Sequence, residues 1–419
     1  LYGYKDDYRY NLGELSFQGS NKEWDYRASY SYTEDVMFPY LMMDEREIGV
    51  YSGFVSLKEN KLYFNYTDHI MDNGLRNGMS SMITDANNLT IGLSGNFYEV
   101  YYRNWNADNE INTPMMKIEN HLMPDVRQYS IKFHKNLNLD KFTVSGKIGL
   151  IHNKIGDSQR LSFYQQLYSD AENDRWSGIL GLGVGFTEAL SKDLAIGALA
   201  EFASDVPQIE YLYVSVKKPM NKPYWSGNPK LSNPKKTTLR GKVNYRHFDF
   251  EVFSTRVWDY VNLTKSTINN QNFVTYENVE SQMMGFNLRV NWQYVNVNAA
   301  YTWAKNVTND SPLTEIPPFS LITTINSPSF KGFQAFIKHT YNDAQVRVDD
   351  NQDELHSPSW HSFNSGIAYL LNSLRFSVEI DNLFNEQYYR HLSYMRNPFS
   401  SGNQIYEPGR LVRINVTYN

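Results

Sequence analysis

Apolar and polar positions alternate along most of this chain. Trp24, Tyr26, Ala28, Tyr30 and Tyr32 share one parity, and Asp25, Arg27, Ser29 and Ser31 share the other. The same period of two runs through Leu62 to Tyr66, Leu194 to Phe202, Val295 to Trp303, Leu374 to Ile380 and Val412 to Tyr418. Successive side chains on a strand point to opposite faces, so each stretch predicts a β-strand with one apolar and one polar face. Asn, Gly, Asp, Ser and Lys bound these stretches, as turns require. About 19 or 20 such strands can be placed, with room for more between residues 204 and 234, and no stretch carries a helical period. Residues 1–419 read as one all-β domain.

The connections are unequal. Tight turns such as Lys58–Lys61 and Ser191–Asp193 alternate with long polar excursions at 72–87, 106–125, 153–176 and 204–235. Transmembrane β-barrels have short turns on one side of the membrane and long loops on the other. Aromatic residues gather near strand ends (Tyr101, Tyr102 and Trp105; Trp258 and Tyr260; Tyr301 and Trp303), where an interfacial girdle would lie. A soluble β protein would alternate too, but it requires neither feature. On the barrel reading Trp24, Tyr26, Tyr30, Val295, Val297, Tyr301, Phe376 and Val378 face lipid, while Arg27, Ser29, Asn65 and Thr67 face the lumen.

Composition supports a barrel and excludes other classes. Hydrophobic residues make up only 41% of the chain and mean hydropathy is −0.55, which excludes a helical membrane protein. No apolar run reaches the ~18 residues that a spanning helix needs. Tyr and Phe number 32 and 23, and Tyr suits a boundary where its ring meets hydrocarbon and its hydroxyl meets water. A net charge of −5 supplies no basic surface for nucleic acid. The absence of Cys fits an oxidising compartment without disulfides. The opening residues, LYGYKDDYRY, hold no signal-peptide apolar region, so a secreted barrel with this start is expected to be processed or incomplete.

Four motifs carry a family resemblance. The segment DNLFNEQYYRHLSYMRNPFSSGNQIYEPGR (381–410), followed by LVRINVTYN, resembles the C-terminus of TonB-dependent outer-membrane receptors. GNPKLSNPKKTT at 227–238 resembles the loop before a central barrel strand in that family, and HFDFEVFSTRVWDYVNL at 247–263 the strand after it. SPLTEIPPFS at 311–320 resembles the Pro-rich start of a later strand, placed where no ladder N–H is needed. The resemblance implies a transmembrane antiparallel barrel of about 22 strands in the bacterial outer membrane. It also implies active uptake of a scarce ligand without catalysis or resident cofactor. The implied partners are TonB, outer-membrane lipid and a surface lipoprotein or other outer-membrane protein. The family's TonB box and N-terminal plug are not found in this chain, so the expectation is that the plug lies outside it or has been lost, and contact with TonB is expected only through a plug.

Ligand chemistry is sought among the 13 Met, nine of which lie within the first 123 residues. In FNYTDHIMDN (64–73), His69 and Met71 have the parity of the polar face and sit about 7 Å apart along a strand. An imidazole beside a thioether suits a soft ion such as Cu(I) better than Fe(III). The string resembles an Asp-His-x-Met-Asp-Asn element of copper-type receptors, whose His-x-Met pair on the barrel meets ligands from the plug. His121 and Met123 form a second His-x-Met, ahead of Pro124 and Asp125, that also resembles an element of this subfamily. Bound copper is thus expected as the transported ligand at His69, Met71, His121 and Met123, with Met115, Met116 or Met123 as further donors. The other reading of these residues is packing, since Met fills irregular interfaces and a lone His on a polar face is commonly a hydrogen-bonding group. Packing is also the expectation for Met37, Met42 and Met43.

Other signals carry no chemistry. GLGVGF at 181–186 has glycines at alternate positions, not a dinucleotide loop, and predicts a strand whose lumen side admits close approach of another backbone. Asp349 and Asp350 read as solvated loop carboxylates. Two alternatives to copper uptake stand: uptake of a siderophore, cobalamin or glycan, and a structural or assembly barrel holding a partner protein in its lumen. At the C-terminus, Asp381, Asn382 and Asn385 are expected at a short periplasmic turn with Asx-type bonds. Residues 389–407 are expected as the last outer loop, and the final strand is expected to pair with the first, because an open edge in lipid leaves backbone groups unsatisfied.

Overall fold

The computed structural model describes residues 11–38, 43–76, 81–156, 167–168, 171–218, 223–268, 270–396 and 401–418. The first half carries β1 (Asn11–Ser20), β2 (Trp24–Val36), β3 (Asp44–Leu57), β4 (Asn60–Asp72), β5 (Ser81–Ser94), β6 (Tyr98–Asn112), β7 (Lys117–Leu139), β8 (Phe142–Ile155), β9 (Asp174–Ala189) and β10 (Leu194–Ser204). A connecting segment follows with α1 (Ile209–Tyr213), β11 (Ser215–Val216) and β12 (Tyr224–Ser226). The second half carries β13 (Lys235–Tyr245), β14 (Phe248–Ile268), β15 (Gln271–Trp292), β16 (Val295–Asn306), β17 (Ser311–Pro312), β18 (Ser320–Asn326), β19 (Phe333–Asn342), β20 (Trp360–Leu371) and β21 (Leu374–Asp381). A separate hairpin of β22 (Tyr389–Arg396) and β23 (Ser401–Tyr406) precedes β24 (Leu411–Tyr418).

All but that hairpin join one sheet of 22 strands, and setting aside the short β11, β12 and β17 leaves nineteen wall strands among the described residues. Neighbouring wall strands are antiparallel and follow the order of the chain. Two-residue turns close one end, as between β3 and β4 or β20 and β21. Their first residues, Lys58 and Asn372, take positive φ of 54° and 53°, as a primed hairpin turn requires.

The alternating faces lie as the sequence predicts. Trp24, Tyr26, Tyr301, Phe376 and Val378 are exposed on the outward face. Leu62, Phe64, Ile91, Ile131, Leu182, Val184, Phe250 and Ile414 extend that face as a continuous apolar band. Near the long-loop end, rings of Tyr102, Tyr129, His152 and Trp176 form a row across four strands, the first pair tilted and the other two stacked, with centroids 5.1, 5.9 and 4.2 Å apart. Not every aromatic placed in the girdle belongs there. Tyr101 and Trp105 point inward, and the Tyr101 hydroxyl donates to Gln128 Oε1 at 2.9 Å.

Three expectations are corrected. The stretch 106–125 is not a loop: β6 and β7 continue through it to a tight turn at 113–116. The Asp381–Asn385 corner lies at the long-loop end of β21, since the short turn of that hairpin is at 372–373. Its side-chain bonds to backbone are longer-range than Asx turns: Asn382 Oδ1 accepts from Glu386 N at 2.8 Å and Asn385 Oδ1 from Arg410 N, across the last hairpin, at 2.9 Å. The seam between β24 and β1 is absent among the described residues, where β24 pairs with β21 and β1 with β2. With nineteen alternating strands the two edges run in the same direction, so they could meet only as a parallel pair in an otherwise antiparallel wall.

Candidate lumenal site

Pairing across β4 to β7 arranges the inward side chains in rows. His69 lies opposite Ala86, Ala86 opposite Ala107, and Ala107 opposite Met123. The next row toward the loops is Met71, Thr84, Asn109 and Asn120, and the one beyond is Met82, Ile111 and Ile118. His69 and Met71 therefore share the inward face in adjacent rows, as their spacing predicts.

Met71 packs against an apolar cluster of Met43, Met82 and Ile111, so three thioethers gather on the loop side of the His69 row. Met43 reaches this place because the start of β3 is pinned. Asp44 is fully buried and accepts from Arg76 at 2.8 Å through Nε and 2.6 Å through a terminal nitrogen. Asp44 Oδ1 also accepts from Phe38 N at 2.9 Å. Thr84 Oγ1 donates to Met43 Sδ at 3.5 Å and accepts from Asn109 Nδ2 at 2.9 Å. Asn73 Oδ1 accepts from Met82 N at 2.9 Å. His69 Nε2 is buried without a hydrogen-bond partner, and Glu45 Oε2 lies 3.7 Å from it, beyond hydrogen-bonding reach. The His69 nitrogen without a hydrogen bond and the Met71 thioether in the adjacent row are donors of the kind a soft cation takes.

His121 and Met123 are not brought together. The β6–β7 register slips between Trp105 and Asp108, and the bulge turns the two residues to opposite faces. His121 faces outward with Nδ1 2.6 Å from Asp108 Oδ1. Met123 faces inward, 4% exposed, in a core with Val126, Ile155, Leu212 and Tyr213. Met115 and Met116 stand exposed at the tip of the β6–β7 hairpin. Met42 lies outside the described residues. The sequence offered no sign that Met43 and Met82 would meet Met71, because that contact depends on a loop contact and on strand pairing. Among the described residues no three His, Asp or Glu side chains converge as a metal-binding group.

Residues 1–383 match the sequence profile of the family described as TonB dependent receptor-like, beta-barrel. No curated relative matches by sequence. Among solved structures, the fold is similar to one titled copper transporter OprC, at 17% identity and a TM-score of 0.74, covering 97% of this chain and 73% of that one. It is also similar to the siderophore receptor PirA from Acinetobacter baumannii, at 13% identity and TM-score 0.58, covering 99% and 78%. The ferric yersiniabactin uptake receptor FyuA from Yersinia pestis gives 13% identity and TM-score 0.61, covering 97% and 70%.

Proposed function

We propose that this chain, which belongs to the TonB-dependent receptor β-barrel family and so lies in the bacterial outer membrane, serves in the uptake of ionic copper. The family consists of receptors and transporters, not enzymes, and membership implies work with TonB and with outer-membrane lipid. The observation that carries the ligand assignment is His69 and Met71 on one lumenal face of β4, with Met71 packed against Met43 and Met82. Thioethers and a neutral imidazole favour Cu(I), whereas iron held by a siderophore arrives with its oxygen ligands already satisfied. The fold similarity to a copper transporter agrees with this reading, and the siderophore receptors share the fold at lower TM-score. Two ligands alone do not hold copper selectively, so Met43 or Met82, or groups from a plug, complete the set.

The mechanism is binding at a wall. Copper reaches the mouth, exchanges water for sulfur and nitrogen, and passes inward when TonB acts on the plug. The test is elemental analysis of copper on purified plug-containing receptor beside His69→Ala and Met71→Ala. Bound Cu(I) should fall by about tenfold or more in each variant, with barrel folding unchanged. Equal copper in all three proteins, or none in the wild type, removes the copper assignment in favour of a siderophore, cobalamin or glycan.

A further inference from the structure

The segment between β10 and β13, described at 205–218 and 223–234, is not built like a solvent-exposed loop. Leu212 and Val216 are 0% exposed, and Tyr213 and Leu231 are 1%. They form one core with Ala107, Met123, Val126 and Ile155, which are inward residues of β6, β7 and β8. The segment is fastened at three places around the wall. On β7, Asn120 Oδ1 accepts from Lys217 N at 2.6 Å, and Asn120 Nδ2 donates to Lys217 O at 3.2 Å. On β9, Arg175 donates to Pro229 O at 2.7 Å, Leu231 O at 2.5 Å and Asn233 Oδ1 at 3.0 Å. On β15, β12 adds as a parallel strand, Trp225 Nε1 donates to the Tyr276 hydroxyl at 3.2 Å, and Asn228 Nδ2 donates to Tyr276 O at 2.8 Å.

These anchors are not neighbours. One strand separates β7 from β9, and three more lie between β9 and β15. A segment tied to inward residues of β7 and β9 and to the edge of β15 crosses the concave side of the wall as a chord. Its core rests on Ala107 and Met123, the row that begins at His69, with Ala86 packed at its margin. The chord is therefore one side of the approach to the candidate site.

We propose that this segment is a fixed size filter: it lets a small ion or its weak complexes reach the His69–Met71 wall and turns away chelates of siderophore or corrin bulk. The inference rests on the chain being an uptake receptor, and it adds a reason for the ligand class that metal-donor chemistry does not supply. Opening such a chord would break all three anchor sets and expose the shared core, so passage occurs beside it.

The chain has no Cys, so a single thiol reports access cleanly. Met71→Cys in receptor-expressing cells is treated from outside with N-ethylmaleimide or with a polyethylene-glycol maleimide of roughly 1 kDa. The small reagent should react about tenfold faster or more. Replacing 206–233 with a short Gly-Ser linker should bring the two rates together, and Arg175→Ala with Asn120→Ala, which keeps the segment but frees two anchors, should move them the same way. Heat-modifiable gel mobility checks that each variant is folded. Equal rates with the segment intact, no reaction of either reagent, or a size preference that survives in both folded variants would each overturn the proposal. No metal enters the assay, so a failed copper assignment leaves this result readable, and a failed filter leaves the copper measurement standing.

Discussion

Asp44 and Arg76 show how much the site depends on two residues outside it. Both are buried, and their twin hydrogen bonds hold the start of β3 against the 73–76 loop. Removing one partner strands a charge without its counterion, which costs about 3–5 kcal/mol. Asp44→Ala should lower the denaturant midpoint of detergent-solubilised protein, followed by tryptophan fluorescence, and Asp44→Leu with Arg76→Met should recover most of it. A second buried group sits in the outer loops. Burial works to raise the Glu354 pKa, yet the His391 hydrogen bond at 3.1 Å and amide donors from Asp349 and Glu315 hold it below the ordinary carboxylate range. A depressed folded pKa means the stabilisation is present above the unfolded value of about 4.3 and is lost as pH falls through the lower folded value. The protection of the Glu315 and Asp349 amides, measured as exchange relative to the intrinsic rate at each pH, should therefore fall as pH drops below the ordinary carboxylate range, and Glu354→Gln should remove most of that pH dependence. Reading single residues from sequence succeeded where no bulge intervened: β4 and β5 pair without a slip, so His69 and Met71 kept their shared face. It failed at His121 and Met123 because one slipped residue inverts parity and leaves no mark in a period-two pattern.

Strands were legible wherever one face meets lipid. The nineteen wall strands match the count that alternation alone suggests, and Pro317 and Pro318 stand just ahead of β18 as the strand-start motif requires. Residues 106–125 escaped notice for a physical reason. Beyond the bilayer the outward residues of NADNE (Asn106, Asp108 and Glu110) are polar, and the buried inward pair is Ala107 with the polar Asn109, so the apolar parity vanishes although the ladder continues. The 205–234 segment was opaque because its helix spans only Ile209–Tyr213, too short to display a period, and its core is completed by strands distant in sequence. The register of β21 with β24 offers an element-scale test. Phe376 and Val378 face Val416 and Ile414 outward, while Ser377 lies opposite Asn415 inward. Val378→Arg should cost about 2–4 kcal/mol near the bilayer midplane, whereas Ser377→Arg should be close to neutral. Urea titrations of the two variants refolded in lipid vesicles separate them.

At the scale of the molecule, outer segments of the second half are tied together. Lys265 pairs with Asp353 at 2.6 Å, Glu354 receives Glu315 N at 2.6 Å, and His391 joins the last hairpin to the same carboxylate.

The stacked rings of the outer girdle also set a thickness. On β9, Trp176 marks the upper boundary of the outward face and Phe186 lies ten residues below it, paired with Phe142. On β14, Trp258 and Phe248 stand the same ten residues apart. Ten residues rise roughly 33 Å along a strand, and a tilt of roughly 45° brings that to about 23 Å along the membrane normal. A common phospholipid bilayer has a hydrocarbon core of about 30 Å, so this wall suits a thinner membrane. In vesicles of graded acyl length its melting temperature should peak with the short chains and decline as the chains lengthen. In long-chain lipid the barrel would be ringed by a dimple of compressed bilayer, drawn in by its own hydrophobic height.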